Sequence, residues 1–196
     1  MKRFGNLAAC VLPALMLLAT AALAAPAQAP LPRDSVYQLP ATLTDQDGKT
    51  WDWRSKRGTP QVVAMFYTSC QYVCPLIVDS GKAVEHALSE GERAKLGILL
   101  ISMDPARDDP EALLSVARKR KLDGARWSLA SPTPDNVRGV AGVLGVRYRE
   151  LADGEFNHTS ALVLLDRNGR ILARTEQIGS QLDPEFVAEV RRALAR

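Results

Sequence analysis

Two unbroken apolar runs of strand length constrain this chain more than any other feature. Gln61-Val62-Val63-Ala64-Met65-Phe66-Tyr67 and Ile98-Leu99-Leu100-Ile101-Ser102-Met103 lack the polar alternation of a half-exposed strand. Strands that are apolar on both sides must be covered on both faces, as in a sheet layered with helices. Each run is followed by a helix start, Cys74-Pro75 after the first and Asp108-Asp109-Pro110-Glu111 after the second. Proline is pre-set for the first helical turn, and an aspartate before it satisfies free amide groups. We therefore expect one helix from Pro75 towards Leu88, with Leu76, Ile77, Ala83, Val84 and Leu88 facing inward, and a second from the acidic start to about Lys121.

The remaining segments extend this pattern. Leu43 to Thr50 reads as a hairpin turned at Asp47-Gly48, and Trp51 and Trp53 give it an aromatic, partly buried face. A third helix is expected over 134–144 and a third apolar strand over 159–165. Asp166-Arg167-Asn168-Gly169 turns that strand back into 170–173. Asp183-Pro184 then opens a terminal helix with Phe186, Val187, Val190 and Leu194 spaced for one apolar face. A hairpin, two strand–helix units and a closing hairpin–helix make an α/β layer architecture. Their order fits a thioredoxin-like fold, with a central mixed sheet and helices on both faces.

The N-terminus reads as a targeting segment. Lys2 and Arg3 precede an apolar run from about Leu7 to Ala24, and Ala22-Leu23-Ala24 offers the small-x-small pattern of a cleavage site. We expect a signal peptide over residues 1–24, with an uncleaved membrane anchor as the rival reading, since the run approaches the ~20 residues of a spanning helix. Export to the periplasm follows from either, with inner-membrane attachment from the second. Cys10 falls inside the apolar run, so cleavage leaves two cysteines. Pro/Ala-rich residues 25–35 read as a flexible tether to a domain over 36–196.

Charge excludes one class of partner. The chain has 25 basic and 22 acidic residues, a formal net charge of +3. Its one dense basic cluster, Arg118-Lys119-Arg120-Lys121, reads as the solvated C-terminal end of a helix, where cations favour the dipole. No aromatic residues interleave it and no nucleic-acid motif accompanies it, so no nucleic-acid partner is expected. The domain is expected to be a monomer.

Chemistry concentrates in Thr68-Ser69-Cys70-Gln71-Tyr72-Val73-Cys74-Pro75. The end of a buried strand is where α/β proteins expose reactive groups, and a helix N-terminus favours a thiolate, which is both nucleophile and metal ligand. Three residues separate the cysteines, against two in a thioredoxin-type redox motif. Side chains at i and i+4 of a helix have Cβ atoms ~5–6 Å apart, whereas a disulfide needs ~3.5–4.5 Å. A soft metal bridging two sulfurs tolerates the wider spacing. Pro75 places the cysteines in a loop able to flex, so the spacing favours metal without excluding a disulfide. Two thiolates do not complete a closed four-ligand zinc site. Thiolates select Cu(I), and imidazole suits copper in either oxidation state. The third ligand is then a histidine, of which the chain has two. His86 lies within a helix and reads as a surface residue. His158 lies in a polar stretch at a sheet end, where Asn157 and Thr159 could orient the ring.

Three motifs together resemble a known family. Phe66-Tyr67-Thr68-x-Cys70-x-x-Val73-Cys74-Pro75 resembles the metal-binding motif of the Sco/SenC family. Ser102-Met103-Asp104-Pro105-x-Arg107-Asp108-x-Pro110 is similar to its second signature, and His158 falls where the family has its histidine ligand. The resemblance implies a thioredoxin-like domain in an exported space that binds copper through Cys70, Cys74 and His158. It also implies a copper-receiving subunit of a respiratory oxidase, or a similar exported cuproprotein, as partner. Family members load, or keep reduced, the cysteines of the dinuclear copper site of cytochrome c oxidase, and many are held to the membrane by an N-terminal segment. One departure stands out: Gln71-Tyr72 replaces the Pro-Asp usual between the first cysteine and the valine, which removes an acid beside the metal and bears on affinity, on the preference for Cu(II) and on the target. Asp104 and Asp108 read as strand-end and helix-cap residues.

Three functions compete. A copper chaperone would use all three ligands. A thiol–disulfide oxidoreductase would use Cys70 as attacking and Cys74 as resolving sulfur. A peroxide-scavenging relative of the peroxiredoxins would share the fold and show peroxidase activity with a thiol reductant.

Overall fold

In the computed structural model, residues 29–70, 72–181 and 183–196 are described. The expected signal peptide with Cys10, residues 25–28 of the tether, and Gln71 lie outside them. Among the described residues, no helix is long and apolar enough to cross a membrane.

Residues 31–196 pack as one unit. Strands β1 (Thr42–Asp45) and β2 (Thr50–Asp52) form the expected hairpin. They are followed by β3 (Gln61–Phe66), helix α1 (Val73–Ala87), the short α2 (Glu90–Arg93), β4 (Gly97–Ser102) and α3 (Pro110–Lys119). Next come β5 (Trp127–Pro132), α4 (Pro134–Val143), β6 (Tyr148–Glu150), β7 (Phe156–His158), β8 (Leu162–Leu165), β9 (Ile171–Thr175) and α5 (Pro184–Leu194). The main sheet runs β2-β1-β5-β4-β3-β8-β9. Its centre, β5-β4-β3, is parallel, and β1 and β8 join it antiparallel on either side. This is the mixed α/β, thioredoxin-like sheet the apolar runs implied.

The runs behave as their composition demands. Every residue of β3 and β8 is buried, as a strand covered on both faces must be. Helix α1 packs on β3 and β8, α3 on β1 and β5, α4 on β5, and α5 on β9. Three helices begin at proline, and the preceding aspartate caps two of them. Asp109 accepts from the Ala112 amide at 2.8 Å, and Asp183 from Glu185 and Phe186 at 3.0 and 3.2 Å.

Several elements differ from expectation. Strand β5 was not foreseen, because two serines and a terminal proline break its apolar run. Only the alternation of buried Trp127 and Leu129 around half-buried Ser128 marks it. Trp53 is fully buried rather than half-buried, with its ring edge-on to Tyr37 at 5.9 Å. Leu76 is 44% exposed and does not face the core. Helix α1 starts two residues earlier than its proline, so Cys74 sits in the first turn rather than in a loop. At Gly81, α1 passes over Trp127 so closely that an added Cβ would lie 2.6 Å from the indole.

Candidate functional site

The buried strand β3 delivers the cysteine segment at its carboxyl end. Tyr67 and Thr68 continue the chain, Cys70 is half-buried, and Cys74 is 4% exposed on the inner face of α1. The Cys74 amide donates to the Cys70 sulfur at 3.3 Å, and the Tyr67 amide to the Cys74 sulfur at 3.5 Å. Neither sulfur is in a disulfide. The Cys74 thiol donating to the Cys70 sulfur lowers Cys70 to about 4, outweighing partial burial, with help from the Cys74 and Tyr72 amides. Sharing that proton, then burial, pushes Cys74 upward. The pair therefore divides into a half-exposed thiolate and a buried thiol.

The carboxylate of Asp108 holds this segment in place. Asp108 is fully buried and does not cap α3; Asp109 does. Its oxygens accept from the Thr68 amide at 3.1 and 3.2 Å, from the Thr68 hydroxyl at 2.5 Å and from the Ser102 hydroxyl at 2.5 Å. Burial raises its pKa, against the hydrogen bonds from Ser102 and Thr68. The carboxylate thus ties the end of β4 to a residue two positions before Cys70.

His158 arrives on a different element. It ends β7 in a two-stranded hairpin outside the main sheet, opposite Tyr148 in register. The polar stretch at a sheet end is thus itself a short strand, too polar and too short to signal one in the sequence. The ring is half-buried, and Nδ1 lies 3.2 Å from the Thr159 carbonyl. With its proton assigned to Nδ1 as donor to that carbonyl, Nε2 presents a free lone pair. Orientation thus comes from the Thr159 backbone, while Asn157 points to solvent. His86 is exposed on α1, as expected of a surface residue.

Two side chains not singled out from sequence join the hairpin to the cysteine segment. Tyr67 donates its hydroxyl proton to Glu155 at 2.8 Å and accepts from the Phe156 amide at 3.3 Å. Its ring packs edge-on against Phe156 at 5.2 Å and His158 at 5.8 Å. Arg107 pairs with Asp104 and donates to the Gly154 carbonyl, so the second signature also grips the hairpin turn. The clue lay in that signature, whose charged residues follow a strand end.

Cys70 and His158 line one cleft of about 520 Å³, together with Tyr67, Tyr72, Glu155 and Phe156. Tyr72 stands 83% exposed at its rim. Among the described residues, no three His, Cys, Asp or Glu side chains are close enough together to hold a metal ion as they stand. The two cysteine side chains are hydrogen-bonded to each other, and the imidazole stands apart, in the cleft that Cys70 lines. The basic run is less solvated than expected: Arg120 is half-buried, pairs with Asp79 and reaches the Pro75 carbonyl at 3.5 Å.

The chain is similar to several known proteins. A protein of Stutzerimonas stutzeri whose name proposes copper binding is 30% identical over 106 residues, 54% of this chain. The matches span 51% and 65% of the length of the two curated relatives found. The structure of Bradyrhizobium japonicum ScoI with copper bound superposes with a TM-score of 0.67 and 26% identity, covering 79% of this chain and 98% of that one. BsSco, described as having a disulfide switch and as a member of the Sco family of cytochrome c oxidase assembly proteins, shares the fold at 20% identity, with a TM-score of 0.68 over 80% and 92% of the two chains. The SCO1/SenC family model matches residues 32–195, and the chain belongs to that family.

Proposed function

We propose that the chain is an exported copper carrier that holds Cu(I) or Cu(II) through Cys70, Cys74 and His158. It passes the ion to the copper-receiving subunit of a respiratory oxidase or a similar exported cuproprotein. The observation that carries this reading is the meeting of the Cys70 thiolate, backed by Cys74, with an oriented imidazole at one cleft. Two sulfurs and one imidazole are the donors that soft copper selects, and they are too few for a closed zinc site. Capture draws His158 the remaining distance towards the sulfurs, which its separate hairpin allows. Three ligands leave an open position from which a partner's cysteine can take the ion. Protons compete for all three donors, so binding weakens in acid.

Copper stoichiometry and absorption test this reading. Wild type should retain one copper per chain after dialysis against a weak chelator, His158→Ala should lose the Cu(II) spectrum, and the Cys70→Ala, Cys74→Ala double variant should retain none. Retention of one copper by the double variant would overturn it. Export and membrane association are part of the proposal and rest on the first 24 residues; fractionation of the full chain, with N-terminal sequencing, decides between a cleaved and an anchored form.

A second reading is favoured by the split between Cys70 and Cys74. As a thiol–disulfide oxidoreductase, the chain would attack a target disulfide with Cys70 and resolve it with Cys74. Rapid reduction of a protein disulfide by metal-free chain, indifferent to His158→Ala, would establish it. A chaperone whose target must be reduced could do both.

A further inference from the structure

Cys74 does not line the cleft that contains His158. It lines a second, smaller opening of about 130 Å³ between the start of α1 and the end of α3, with Cys70, Val78, Val116, Lys119 and Arg120. Cys70 belongs to both openings, so the pair has two approaches. The first is wide and rimmed by the exposed ring of Tyr72. The second is small: a water occupies ~30 Å³ of the liquid, so it admits roughly four waters or one small organic molecule.

Its wall is apolar at Val78 and Val116, and its mouth is cationic. Arg120 is partly committed to Asp79, and its Nε is buried without a partner among the described residues. Lys119 is exposed and, among the described residues, forms no ion pair. An excess positive charge over a short apolar path to a buried sulfur selects a small anion with a soft reactive atom.

We propose that this second cleft admits small carboxylate-bearing thiols, which reduce a Cys70–Cys74 disulfide by attack on Cys74. The proposal rests on the pair cycling through a disulfide and does not require copper. The thiolate sulfur of the ligand bonds to the Cys74 sulfur as the Cys70–Cys74 bond breaks. The electron pair leaves on Cys70, whose sulfur already accepts the Cys74 amide at 3.3 Å. A second thiol then attacks the ligand sulfur of the mixed disulfide, and Cys74 departs and is protonated. Two thiols become one small-molecule disulfide, the protein disulfide becomes two reduced sulfurs, and the two thiol protons balance them. The wide cleft then remains for a macromolecular partner at Cys70, while the narrow one resets the pair.

The oxidised full chain tests this with three probes, 3-mercaptopropionate, 2-mercaptoethanol and cysteamine, with rates normalised to thiolate concentration and to intrinsic reactivity towards a model disulfide. Mercaptopropionate should outpace cysteamine by roughly tenfold at low salt, the effect of one uncompensated charge near contact, and the advantage should shrink with added salt. Lys119→Glu should reverse the order. Val116→Trp should slow all three without altering alkylation of Cys70 in the reduced chain. The acid-quenched intermediate should carry mercaptopropionate in disulfide linkage to Cys74. Equal normalised rates for the three probes, an order unmoved by Lys119→Glu, or a mixed disulfide on Cys70 alone would overturn the proposal. Lys119→Glu lies at an exposed position, so it carries the test even if Val116→Trp does not fold. Copper stoichiometry is untouched by these outcomes, so failure here is distinct from failure of the carrier reading.

Discussion

The cysteine segment and the histidine hairpin deliver their side chains to the same cleft by opposite means. Cys70 and Cys74 hang from β3, buried along its whole length, and Asp108 locks the connection from beneath. His158 sits on β7, a three-residue strand that among the described residues pairs only with β6 and is half exposed. Few side chains hold that hairpin to the domain, chiefly Tyr67 through Glu155 and Phe156, and Arg107 through Gly154. A segment that continues a fully buried strand and is bonded to a buried carboxylate resists local opening more than a small hairpin held by a few polar contacts and the packing of Tyr148 and Phe156. The sulfurs thus form a rigid half-site and the imidazole an adjustable one, which suits an ion that must be gripped and then released.

The contrast can be broken first on its rigid side. At pH 6, iodoacetamide should modify Cys70 at least about a hundredfold faster than Cys74, because a thiol lowered to about 4 is fully ionised there and a raised one is not. The sign is definite: Cys70 reactivity should hold steady from pH 8 to 6 and fall only as pH approaches 4. Peptide mapping reads both rates; equal labelling would show that the pair does not divide as described. Next in size, Asp108→Ala should cost about 3 kcal/mol of stability by leaving buried hydroxyl and amide donors without an acceptor. Chemical denaturation measures it, and a loss well under 1 kcal/mol would mean that the carboxylate does not lock the segment.

These two effects also mark what could be read in advance. Strands β3 and β4 and helices α3, α4 and α5 were legible because continuous apolarity and proline starts, two of them after an aspartate, are local signals. The position of Cys70 and Cys74 followed from them. The hairpin was not legible, since Tyr148 to His158 is short, polar and stabilised by contacts with Tyr67 and Arg107 distant in sequence. Asp108 was misassigned for a related reason. Two adjacent aspartates before Pro110 look equivalent as caps, and only the fold shows that Asp109 caps while Asp108 turns inward to Thr68. Strand β5 was hidden by its serines and Pro132, although its alternation around Ser128 was there to be counted.

The hairpin side yields the smaller predictions. Arg107→Ala should weaken copper binding by about tenfold, as loss of an outer contact to a ligand-bearing element does. It should change stability by less than about 1 kcal/mol, since Arg107 is exposed. Isothermal titration beside thermal melting separates the two; an unchanged affinity would mean that the grip on Gly154 is irrelevant to His158. Tyr67→Phe removes the hydroxyl shared by Glu155 and Phe156 and should cost about 1 kcal/mol. Its mark should be faster hydrogen exchange confined to the hairpin, with β3 and β4 unaffected. Faster exchange across β3 as well would contradict the division into a rigid and an adjustable half.

X-ray absorption of the Cu(I)-loaded chain tests the central claim most directly. The proposed site predicts a shell of two sulfurs and one imidazole nitrogen, reduced to two sulfurs by His158→Ala and unchanged by His86→Ala. A sulfur-only shell in the wild type, or an imidazole signal that survives His158→Ala, would contradict it.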